Sequence, residues 1–168
     1  MMSALPTTTS TALVRAILDT LRAHPWPAPI ATVGYRSLFD IDDPDEPSVL
    51  ATPAILLTIT TREPDPEAMT PPGRRARRCG FELHGVLSIG TPDLQTELLE
   101  LADAITALLE APDPDGRPER GQRWGLGQAV DLPTDIRDTD KSAFAFGLSG
   151  FDGRVVSWTQ TIYLPEAV

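Results

Sequence analysis

The chain has one cysteine, Cys79, one lysine, Lys141, and only two histidines, His24 and His84. A single cysteine excludes an intramolecular disulfide, so folding needs no oxidising compartment. With two histidines, any nucleophile–base–orienter triad has to use His24 or His84. Metal-site spacing of Cys and His is missing, and the acidic run 40–46 lacks the loop glycine and terminal Glu of a calcium-binding hand. No cofactor or metal is expected. Aromatic residues make up 6% of the chain, and 14 Lys and Arg face 24 Asp and Glu for a net charge of −10. That field repels phosphate, which argues against non-specific binding to nucleic acid or an anionic membrane. Met1 to Thr11 carry neither positive charge nor a long apolar run, so no signal peptide is expected. The longest helical apolar pattern is broken by Asp, Glu and Thr, which excludes a membrane span; the expectation is a soluble chain, intracellular at synthesis.

Present instead is enough apolar material, 41% of 168 residues, for one domain with a single core. After N-cap hydroxyls at Thr8, Thr9 and Ser10, the residues Leu13, Val14, Ile17, Leu18 and Leu21 recur at helical spacing up to Pro25. The spacing predicts a strand over Ile30 to Phe39 and an internal strand over Pro53 to Thr61. Cys79 to Ile89 alternates, with Cys79, Phe81, Leu83, Gly85, Leu87 and Ile89 on a core face and Gly80, Glu82, His84, Val86 and Ser88 on a wetter one. Thr91-Pro92-Asp93 reads as a helix start with Thr91 as cap, followed by a stripe of Leu94, Leu98, Leu101, Ala102, Ile105, Leu108 and Leu109. Gly125 to Leu132 reads as a weak strand, Thr134 to Ser142 as polar connection, and Ala143 to Leu148 as a short strand. The chain closes on Arg154 to Leu164, where Val156, Trp158, Gln160, Ile162 and Leu164 share one face behind an Asp152-Gly153 turn. The expected fold is α+β: a mainly antiparallel sheet with two helices packed on one face, as a single domain over 1–168. Flexible loops are expected at 40–53, 63–78 and 112–123, where most of the seventeen prolines gather.

No residue constellation announces a chemistry. His24 sits at a helix end, and His84 is mid-strand; both read as structural. Cys79 and His84 are five apart on a strand and therefore on opposite faces, which rules out a dyad. The local charge asymmetry is sharper. Arg74, Arg75, Arg77 and Arg78 crowd into five residues, and Asp42, Asp43, Asp45 and Glu46 lie in the acidic run with Asp40. Arginine suits bidentate carboxylate contacts across interfaces, so these two clusters are the candidate interface residues, facing each other between copies or meeting an acidic tube surface.

By element order the chain resembles the tail terminator, or tail completion, proteins of tailed bacteriophages, including the tail-protein family of Mu-like contractile phages. The matching parts are the helix Thr11 to Ala23, the strand Ala54 to Thr60, the strand–helix unit Gly80 to Glu110 and the closing strand Arg154 to Leu164. Trp158-Thr159-Gln160-Thr161-Ile162 is similar to the aromatic-x-Gln ending of several of those proteins. The proline-rich stretches Asp40 to Pro53 and Glu63 to Pro72 have no counterpart in the match.

The resemblance implies a non-enzymatic virion protein of the tail, made in the host bacterial cytoplasm. Its copies would form a ring, commonly of six, that caps the tail tube and meets the head connector, with DNA passing through the lumen as its only nucleic acid. Competing expectations are another head–tail connector or baseplate adaptor of a phage or phage-derived injection machine, and an acidic immunity-type protein that binds a basic partner as a monomer. A small enzyme using His84 with a carboxylate is the remaining one, and it requires a concave pocket around that histidine.

Overall fold

The computed structural model describes residues 5–35, 50–68, 73–112, 121–140 and 150–166. Within them two helices and five strands follow the order α1 (Ser10–Ala23), β1 (Thr32–Tyr35), β2 (Ala54–Pro64), β3 (Arg74–Ser88), α2 (Leu94–Glu110), β4 (Thr134–Thr139) and β5 (Phe151–Pro165). The strands form one mixed sheet in the order β1-β2-β3-β5-β4, with β1 parallel to β2 and every other pair antiparallel. The expected α+β class and the two-layer arrangement are what the chain adopts.

Helix α1 starts where the hydroxyls placed it. The Thr9 side chain accepts from the Ala12 backbone N–H at 3.1 Å, satisfying one of the orphan donors of the first turn. Leu13, Ile17, Leu18 and Leu21 are buried. Helix α2 buries Leu98, Leu101, Ala102, Ile105, Leu108 and Leu109. Both stripes join Ile55, Leu57, Phe81, Leu83, Val156, Trp158 and Ile162 in one core, so the helices share a single face of the sheet. Helix α2 packs tightly on the sheet at Gly85, where an added Cβ would lie 2.8 Å from Leu101 Cδ2.

The start of α2 differs from expectation. Its N-cap is Asp93 in the left-handed region (φ 52°) with no side-chain cap bond, and the Thr91 backbone N–H turns back to the Ser88 carbonyl. The proline therefore precedes the helix and does not open it.

Four stretches expected as irregular or weak also differ. Residues 63–64 extend β2, and Arg74 to Arg78, expected inside a loop, are strand, hydrogen-bonded into the ladder with β5 and, at Arg77 and Arg78, with β2. Gly125 to Leu132 is not a strand. Gly125 (φ 76°) and Gly127 (φ 56°) adopt backbone that strands do not use, a 3-10 turn covers Gly127–Ala129, and only Val130 bridges to Ile162. Thr134 to Thr139 is a strand, β4, on the sheet edge. Asp152 and Gly153, expected in a turn, already belong to β5 opposite Leu87 and Val86. The expected strand 143–148 and Asp42, Asp43, Asp45 and Glu46 lie outside the described residues.

The second face of the sheet is not uniformly wet. Near its β1 side Leu50, Ala54, Leu56 and Val86 form a second buried cluster with Phe151 against it, and His84 is fully buried beside them in register with Leu56 and Val155. The polar part of that face begins at Glu82 and runs through Thr58, Ser157 and Thr159.

Candidate functional site

The expected interface arginines do not form one patch, because strand geometry sends alternate side chains to opposite faces. Arg75 and Arg77 stand opposite Leu164 and Ile162, which places them on the helix-bearing face. Arg74 and Arg78 fall on the other. There Arg74 lays its guanidinium 3.8 Å from the Tyr163 ring centroid and donates to the carbonyls of Pro6 and Gln128, both at 3.2 Å. Arg78 pairs with Glu63 at 3.2 Å across the β2–β3 ladder. These two arginines thus fasten the sheet end, the N-terminal segment and the 121–131 loop together.

On the helix side the arginines meet no carboxylate among the described residues. The Arg75 Nε donates to the Pro165 carbonyl at 3.1 Å, while Arg62 and Arg77 stand over Cys79. Burial raises the Cys79 thiol above its ordinary value, against the pull of those two cations. The thiol therefore stays protonated and behaves as a small buried hydrophobe.

At the far end of β3 the charge has the opposite sign. Helix α2 carries no lysine or arginine, and its exposed side presents Glu97, Glu100, Asp103 and Glu110 with the exposed Leu99 among them. Between its first turns and the segment before β1 lies a cavity of about 140 Å³. Its floor is apolar (Pro27, Ile30, Pro53, Leu87 and Leu101), and Glu97 and Glu100 stand at its rim.

The Trp158-Thr159-Gln160 motif is a fastening device. Gln160 is buried, and its amide oxygen accepts from the indole N–H of Trp124 at 3.0 Å and of Trp158 at 3.2 Å. Its amide nitrogen donates to the carbonyls of Gln122 at 2.9 Å and Asp131 at 2.7 Å. A glutamine offers four such bonds and all four are used, tying the 121–131 loop to the core. Trp124 is held at φ 60°, a region bulky residues avoid, by that bond and by burial of its ring. Phe81 stacks on Trp158 at 5.1 Å.

His84 is buried on the face of β3 opposite Cys79. Its Nε2 lies 3.0 Å from Glu82 Oε2, and the hydrogen bond it donates holds the Glu82 carboxyl below the usual range despite partial burial. Glu82 lines the shallow trough over Gly80, and His84 lines none of these four surface cavities. His24 packs edge-on against Trp26 at the end of α1, and burial lowers its pKa. No group of three or more His, Cys, Asp or Glu side chains converges among the described residues. No described helix is long and apolar enough to cross a membrane. The acidic helix face and the split of the arginines between two faces were not read from the sequence. The first was available, as a helix stripe without a single cation; the second needed the strand assignment.

No protein-family model matches this chain, and no curated protein matches it.

Proposed function

We propose that this protein is a non-enzymatic structural subunit of the tail terminator or tail completion kind. In this reading its copies close into a ring, of six members as the resemblance implies, that caps a phage tail tube and meets the head connector. The observation that carries the reading is architectural. The four segments on which the resemblance rests fold as α1, β2, the β3–α2 unit and β5, and they pack into one two-layer unit with both helices on the same face. Charge distribution supports it further. A ring requires a head-to-tail contact between two different patches, and this subunit carries a basic and an acidic patch at opposite ends of its longest strands. On this reading the protein takes no cofactor, and duplex DNA meets it only as cargo in the lumen.

Size-exclusion chromatography with light scattering, with and without the tail-tube protein of the same virus, tests the proposal. The expected result is a closed oligomer of fixed mass that co-elutes with tube. A monomer at every concentration, indifferent to tube protein, overturns it.

A further inference from the structure

We propose that neighbouring copies join by seating Arg75 and Arg77 of one on the cavity beside α2 of the next, where Glu97 and Glu100 receive them. The inference rests on the self-assembly reading above and supplies the contact that reading needs.

The cavity has the shape and chemistry of an arginine socket. Its apolar floor of Ile30, Pro53, Leu87 and Leu101 accepts the aliphatic stem of a long basic side chain. Glu97 and Glu100, three apart on a helix, bring their carboxylates to one side of the rim, about 5–6 Å apart at Cβ. A planar guanidinium can bridge such a pair with two charge-assisted hydrogen bonds, which the point charge of a lysine does less well. The chain carries almost no lysine to compete for the site.

The donor side is equally specific. Arg75 is exposed, and it and Arg77 lie on the helix-bearing face with no carboxylate partner among the described residues. Arg74 and Arg78 are consumed by Tyr163, backbone carbonyls and Glu63, so they are not available. Within one copy the two patches cannot neutralise each other. Arg75 and Leu87, which floors the cavity, stand twelve residues apart on the single strand β3, a span of about 40 Å. Complementary patches held that far apart on a rigid strand can meet only between copies. Because the patches differ, the contact repeats head to tail and closes if the rotation permits.

Sedimentation velocity of the full chain across a concentration series, at low and at high salt, tests the contact. Glu97→Lys with Glu100→Lys should weaken self-association at least about tenfold, and Arg75→Glu with Arg77→Glu should do the same. Combining all four changes should restore much of the loss, and the wild type should weaken with added salt. Circular dichroism and the thermal midpoint establish that each variant is folded; if a reversal unfolds, Glu97→Gln with Glu100→Gln gives the same reading with milder chemistry. Assembly that survives both reversals overturns this contact and leaves the self-assembly reading standing. A wild-type chain that stays monomeric overturns both.

Discussion

Replacing Gln160 by methionine tests the fastening of the 121–131 loop. Methionine matches glutamine in length and volume, so the change leaves the packing of Trp158 nearly intact and removes only the four hydrogen bonds. Two indole N–H groups and two carbonyls then lose their partner in a site where Gln160 itself is 1% exposed. An unsatisfied buried polar group costs about 1–3 kcal/mol, and relaxation of the loop toward water recovers part of that. The net loss should be roughly 3–5 kcal/mol, a large share of the ~5–15 kcal/mol that a domain has. Since 1 kcal/mol moves the midpoint of a domain this size by about 2–4 °C, melting should fall by roughly 10 °C. Urea unfolding followed by tryptophan fluorescence reads the loss directly, because Trp124 and Trp158 are the bonded partners. A variant within about 1 kcal/mol of wild type would mean that the four bonds contribute no net stability and do not fasten the loop.

Three further outcomes follow from the packing. Gly85→Ala should destabilise by about 1–2 kcal/mol, because its Cβ meets the Leu101 side chain at 2.8 Å and α2 must shift; chemical denaturation checks it. Glu82 has a folded pKa below its ordinary value of 4.5, so its contribution is present above that pH and is lost as pH falls through the lower folded value. Glu82→Gln should therefore flatten the acid limb of the stability–pH curve, and an unchanged limb counts against the His84 hydrogen bond. Arg154 donates to Asp138 at 2.8 Å with both side chains largely covered, and Arg154→Ala should free the edge strand β4. Faster amide hydrogen exchange confined to β4 is the expected signature.

Much of this fold is legible in the sequence because its strongest signals are periodic. The stripes of α1 and α2 and the alternation of β3 and β5 each name a buried face, and the structure buries most of the residues they name, with Val14 and Leu94 half-buried and Ile89, just past the end of β3, exposed. The elements that escape notice are those in which pairing outweighs composition. Arg74 to Arg78 have the look of a solvated loop, yet they gain a ladder partner in β5 and so become strand. Thr134 to Thr139 hold one apolar residue, Ile136, because an edge strand buries little and benefits from charge that discourages further pairing. His84 stands on the face its alternation assigns, but burial of that face depends on Leu50 and Phe151, which are distant in sequence. The Gln160 network is likewise invisible in advance, since its partners Gln122, Trp124 and Asp131 lie some thirty residues upstream in a stretch whose backbone is set by glycines.

The proposal that copies of this chain cap a tail tube predicts a direct effect on tube growth. Electron microscopy of tube protein polymerising with and without the chain tests it most directly. Added chain should halt growth and leave a ring-shaped density at one end of each tube, and the Arg75→Glu, Arg77→Glu variant should lose both effects. Tubes that lengthen unchecked in the presence of excess folded chain, with bare ends, would contradict it.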